Sequence, residues 1–199
     1  HPMVSLLHAA TGRKTCQRVV LRLQLFQTVG KMDGITGDLK EMAIVTGGAK
    51  RLGKAIVLSL AKRGYAIGLH YYRSSKEAIE LADDLEIEGV PVVMLPGDLG
   101  SPAAIKRIFA KVDASGYPLK VLVNSAANMD RKPLEKLSVK EWDRLFAVNL
   151  RAVWLCSMQA ADRMGEGGVI INLSDVGAQR AWTGFGAYSV TKAAVNSLT

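Results

Sequence analysis

The pattern of apolar and polar positions changes character near residue 42. Beyond that point, short continuous apolar runs at 43–46, 65–71, 90–95, 119–123 and 169–173 alternate with longer segments at 52–63, 76–88, 102–114 and 139–164, where apolar side chains recur every three or four positions. A run with no alternation is what a parallel strand shows when helices cover both of its faces, and the helical spacing between runs supplies the crossovers. Five strand–helix steps therefore predict an α/β domain over 42–199, a doubly wound parallel sheet with helices on both faces. Residues 1–41 read differently: the stretch 19–29 fits neither period, and no acid occurs before Asp33. This segment is expected to be a poorly ordered leader or an appended extension, and its acid-poor, Arg-bearing composition is also that of an organellar leader.

Composition narrows the class without naming a function. A chain of 199 residues that is 49% apolar and 22% charged can bury one ordinary core, which excludes disorder, collagen-like repeats and a disulfide scaffold. Cys16 and Cys156 form no CxxC pairing and only three histidines are present, so no metal site is expected and reduced thiols in the cytoplasm are the default. Every apolar run is too short to span a membrane. The net charge of +8 is not gathered into a basic run or an aromatic-interleaved stripe. Nucleic acid is therefore not an expected partner, and the excess suits a solvated surface or a small phosphorylated ligand.

The segment Thr46-Gly47-Gly48-Ala49-Lys50-Arg51-Leu52-Gly53 joins the first strand to the first helix, where backbone N–H groups and the helix dipole favour an anion. Glycine at 47 lets a pyrophosphate approach the backbone, and Gly53 lets the helix pack close to the sheet; a ligand-free tight turn is the alternative. An acid about 20 positions further on would bind the ribose of NAD, but the second strand ends in His70-Tyr71-Tyr72-Arg73-Ser74-Ser75. Arg73 and Ser74, with His70 in support, are donors for a 2′-phosphate, so NADP(H) is favoured over NAD(H). The bland alternative has Arg73 projecting into solvent. Asp98, followed by Leu99, either accepts from an adenine amino group or caps a turn.

Tyr188 and Lys192 stand at i and i+4 and share one face of a helix. An ammonium beside a phenol favours the phenolate and suits an acid that hands a proton to a developing alkoxide. Together, the 46–53 turn, Asp98, Asn124-Ser125-Ala126-Ala127, Asn149, and Tyr188 with Lys192 resemble the ordered motifs of the classical short-chain dehydrogenase/reductase family, a Rossmann-type fold, over 42–199. The resemblance implies that Tyr188 donates the proton and that Lys192 holds the nicotinamide ribose and tunes Tyr188. Asn149 would support a relay water or, alternatively, bond to backbone. Asn124, Ser125 and Ala126 would line the adenine side while steadying the sheet. Lys50, Arg51, Leu52 and Leu99 would complete the cofactor contacts. A homo-oligomer, dimer or tetramer, formed through the helix starting near Val139 and the helix carrying Lys192 is also implied.

Two departures from the family pattern stand out. Ala127 occupies a position where the family usually has Gly. Asp175 occupies the position 13 before the tyrosine, usually Ser, while Ser174 lies one place off. Asp with Tyr and Lys, Arg51 in the first turn and the His70–Ser74 segment resemble the pteridine reductase branch, where C=N bonds are reduced and a ring nitrogen needs a proton. The expected function is an NADPH-dependent reductase acting on a pterin-like or carbonyl substrate. An ordinary carbonyl reductase of the 3-oxoacyl thioester or sugar type, with Asp175 a mere acceptor or cap, is the close rival, and a silent dinucleotide-binding or oligomer-forming module is the third reading. The chain stops partway through the helix bearing Tyr188 and Lys192, so a C-terminally truncated domain is expected.

Overall fold

A computed structural model describes residues 4–9, 19–21, 40–180 and 182–199. The expectation of a leader over 1–41 falls mostly outside the described residues, but within it β1 (Val4–Ala9) and β2 (Val19–Leu21) are strands. The predicted alternation follows: β3 (Met42–Val45), α1 (Arg51–Ala61), β4 (Ala66–Tyr71), α2 (Ser75–Ile87), β5 (Val92–Pro96), α3 (Pro102–Ala114) and β6 (Leu119–Asn124). Next come α4 (Val139–Phe146), α5 (Ala152–Ala161), β7 (Gly168–Leu173) and α6 (Gly186–Leu198).

The sheet runs β2-β1-β7-β6-β3-β4-β5. Strands β3 to β7 are parallel, while β1 lies antiparallel on β7 and β2 antiparallel on β1. The strand order reverses between β3 and β6, which opens a crevice at their carboxyl ends where doubly wound sheets take ligands.

Alternation along β3 shows how both faces are filled. Met42 and Ile44 join Leu95, Ile105, Phe109, Leu122 and Ile170 in the core under α3 and α5. Ala43 and Val45 join Val57, Ile67, Leu69, Leu81 and Leu85 under α1 and α2. Truncating a fully buried Leu or Ile here to Ala is worth about 2–5 kcal/mol, enough to threaten a marginally stable domain.

The single helix expected over 139–164 is corrected. It is broken into α4 and α5 by a widened π-type turn at Ala147–Arg151, and its regular part ends at Ala161. The Asn149 side chain supplies the reason: it is pulled onto the backbone of Asn128, receiving the N–H and donating to the carbonyl, both at 2.8 Å. A one-residue insertion of this kind leaves the apolar period nearly intact, so the sequence pattern does not reveal it.

Candidate active site

The turn after β3 is built from close backbone approaches. Gly47 has φ +65°, and a Cβ there would lie 3.0 Å from the Ala126 Cα; a Cβ on Gly53 would run into the Gly47 carbonyl oxygen. Glycine is therefore required at both positions for α1 to begin where it does. Arg51 adopts φ +49°, the one positive-φ non-glycine among the described residues. A left-handed residue of this size costs about 1–2 kcal/mol, a strain that clusters at ligand sites.

Two side chains, Thr46 and His70, hold this turn. Thr46 Oγ1 accepts from the N–H groups of Ser125 and Ala126 at 2.9 and 3.0 Å, stapling the β3 and β6 ends across the switch point. His70 is buried, and its ring is committed on both sides: Gly47 N–H donates to Nδ1 at 3.0 Å, which leaves the proton on Nε2 to donate to the Gly97 carbonyl at 3.0 Å. Burial lowers its pKa to about 4, against the opposing effects of Gly97 and Asp98, so it is neutral near pH 7. His70 thus lines the crevice as expected, but both its ring nitrogens are engaged in shaping the turn, so the expected donation to a 2′-phosphate is corrected.

The crevice has a volume of about 750 Å³. Gly47, Lys50, Arg51, Leu52, Gly53, Arg73, Ser74, Asp98, Leu99, Ser125 and Ala126 all line it, as expected, together with the unexpected Tyr72 and Arg144. The Arg73 guanidinium lies 5.2 Å from the centre of the Tyr72 ring. Asp98 both lines the crevice and caps a turn, accepting from Gly100 N–H at 2.9 Å. Asn124 steadies the sheet, its buried amide donating to Asn172 at 2.8 Å and Ser157 at 3.1 Å and tying β6 to β7 and α5; the expectation that it also lines the crevice is corrected.

The second cluster stands at the carboxyl end of β7, outside the crevice lining. The Tyr188 hydroxyl donates to Asp175 Oδ2, while Asp175 Oδ1 accepts from Gly177 N–H at 2.6 Å, which fixes the carboxylate's orientation. The Lys192 ammonium donates to the Leu173 carbonyl at 2.7 Å and sits 5.8 Å from the Tyr188 ring centre. Ser174 turns the other way, donating to the Lys192 carbonyl at 3.2 Å. Burial, then the hydrogen bond to Asp175, push the Tyr188 phenol above its ordinary range. Burial pulls Lys192 down, with Asp175 acting against it. In this state burial and Asp175 hold the phenol protonated.

Asn149 joins the two regions. Besides gripping Asn128 in the crevice wall, its amide donates to Thr191 Oγ1 at 3.3 Å, and Thr191 donates to the Tyr188 carbonyl at 2.7 Å. For the side chain this is the backbone-bonding alternative, with both amide atoms engaged.

Residues 41–199 match the family described as short chain dehydrogenase, and the chain belongs to that family. It is 34% identical over 168 residues to a short-chain type dehydrogenase/reductase of Picea abies, covering 79% of this chain and 62% of that protein. An Arabidopsis thaliana protein described as NADPH-dependent aldehyde reductase 2, chloroplastic, is 34% identical over 172 residues, with 79% of this chain and 63% of its own length matched. The solved structure of a short chain dehydrogenase from Burkholderia cenocepacia in complex with NADP superposes with a TM-score of 0.76 at 30% identity, covering 80% of this chain and 65% of that one. The chain spans less than two-thirds of the length of each. Among the described residues, no helix is long and apolar enough to cross a membrane.

Proposed function

We propose that this chain is the cofactor-binding and proton-donating part of an NADPH-dependent reductase. The observation that carries the reading is the Tyr188–Asp175 hydrogen bond beside the Lys192 ammonium, one strand away from a glycine-walled crevice. The crevice suits a dinucleotide. Bare glycine backbone at Gly47 and Gly53 leaves room for a pyrophosphate, and Lys50, Arg73 and Ser74 line the side where a 2′-phosphate needs donors. NADP in the Burkholderia relative and NADPH in the Arabidopsis description support the same preference.

A reduced nicotinamide bound there supplies the hydride. Tyr188 then gives its proton to the substrate atom that gains electron density, and Asp175 holds that proton in position beforehand. A phenol kept protonated above its ordinary range is loaded for reduction, whereas the reverse oxidation needs it as a base. Lys192, anchored by Leu173, faces the phenol with a positive charge that stabilises the phenolate left behind.

For the substrate, Asp175 supports a ring C=N bond of the pterin type, because a carboxyl and a phenol sharing a proton can serve a nitrogen. The aldehyde reductase relative supports a C=O substrate instead. NADPH consumption by the wild type and Asp175→Ser with dihydrobiopterin and with a small aldehyde separates them. Dihydrobiopterin turnover lost at least a hundredfold in the variant is the pterin result; aldehyde turnover alone, surviving the change, is the carbonyl result. NADPH binding without consumption of either substrate contradicts the enzymatic reading and leaves a binding module. Exposed Trp154 and Met158 on α5 and Val190 on α6 support pairing of copies through these helices, which sedimentation would show as a dimer or tetramer.

A further inference from the structure

Lys50, the residue preceding α1, lines the crevice, yet its ammonium is paired with Glu77 in the first turn of α2. The two side chains come from different strand–helix units, so the pair bridges the mouth of the crevice beside Arg73 and Ser74. Both partners are about half exposed, so the pair is weak and exchangeable. The other cations in the lining are Arg51, Arg73 and Arg144, of which the Arg73 guanidinium lies over the Tyr72 ring. Lys50 is thus the crevice cation already holding a carboxylate. The hydrogen bond from Lys50 also holds the Glu77 carboxyl below the usual carboxylate range, so it is ionised at neutral pH.

We propose that Glu77 is a specificity-determining residue, an internal competitor for the 2′-phosphate of the dinucleotide: its carboxylate occupies Lys50 in the free chain and is exchanged for the phosphate on binding. This rests on the NADPH reading above. A ligand with a 2′-phosphate must break the Lys50–Glu77 pair and approach a second anion, whereas a ligand lacking that phosphate leaves the pair intact. Glu77 therefore lowers the affinity for the 2′-phosphorylated form alone and narrows the discrimination that Arg73 and Ser74 create. Exchanging one partner of Lys50 for another also leaves its charge compensated in both states.

Calorimetric titration with adenosine 2′,5′-bisphosphate and with adenosine 5′-monophosphate tests this. Glu77→Gln is expected to bind the bisphosphate about three- to fivefold more tightly, with the monophosphate unchanged within a factor of two. In a Lys50→Ala background the gain from Glu77→Gln should vanish, since the competition acts through that ammonium. Equal shifts for both nucleotides, no shift for either, or a gain that survives Lys50→Ala overturns the proposal. A wild type that prefers the bisphosphate while Glu77→Gln is neutral sinks only the role of Glu77. A wild type showing no preference for the bisphosphate sinks the NADPH reading along with it.

Discussion

The crevice at the β3–β6 switch point and the Tyr188 cluster at the end of β7 lie on the same edge of one sheet but are made in opposite ways. The crevice is walled by backbone and by half-exposed cations, and its shape depends on what is absent, namely a Cβ at Gly47 and Gly53. In the Tyr188 cluster Tyr188 and Lys192 are buried and Asp175 is half-buried, and the chemistry depends on what is present, three ionisable groups held by hydrogen bonds. An open cradle can accept a large anionic ligand with little desolvation, whereas a largely buried cluster can shift proton affinities. Binding and proton transfer are therefore divided between two regions, with Asn149 as the rigid link.

The division can be broken at several points. Tyr188→Phe removes the donor and should lower turnover by about a thousandfold or more, measured as NADPH consumption with any accepted substrate. His70 comes next, on the crevice side. Its folded pKa of about 4 lies below the unfolded value near 6.5, so the unfolded chain binds the extra proton first. Its contribution is complete above pH 6.5 and is lost as pH falls toward 4, by about 3 kcal/mol. Urea unfolding at pH 7 and pH 4.5 should show this loss in the wild type and a flatter response in His70→Asn, whose amide oxygen can still accept from Gly47.

Asn149→Ala severs the link and leaves the Asn128 N–H without its acceptor, at a cost of about 1–3 kcal/mol, and should impair both nucleotide affinity and turnover. Asp175→Asn acts on the cluster alone: removing the carboxylate lowers the phenol pKa, so the alkaline limb of the reduction profile should move to lower pH while nucleotide affinity holds. The smallest effect belongs to neither region. Asp113→Asn loosens the bidentate pair with Arg163, at 2.7 and 2.8 Å between α3 and the turn that follows α5, and should cost at most about 1 kcal/mol by denaturant titration.

The same contrast explains what could be read from the residues alone. Strands β3 to β7 and helices α1 to α3 fall within two residues of the apolar runs and periodic segments, because a doubly wound sheet writes its layers directly into hydrophobic spacing. The glycine-lined turn was legible for a related reason: only a missing side chain allows its backbone contacts. The direction in which polar side chains turn was not. His70 reads as a phosphate donor until the fold buries it between Gly47 and Gly97, and Asn124 reads as a lining residue until its amide is seen bridging strands. Tyr188 and Lys192 were visible through their spacing. The dominance of burial and Asp175 over Lys192 depends on depth, which spacing does not encode. The strands β1 and β2 lie at a sheet edge, where neither face pattern nor crossover length marks a strand.

The most direct test of the divided site is to measure NADPH affinity and NADPH consumption side by side in the wild type and Tyr188→Phe. Affinity is expected to stay within about a factor of two while consumption is lost, since a single hydroxyl outside the crevice lining is removed. Consumption that survives, or affinity that falls in step with it, would contradict the separation of binding from proton transfer.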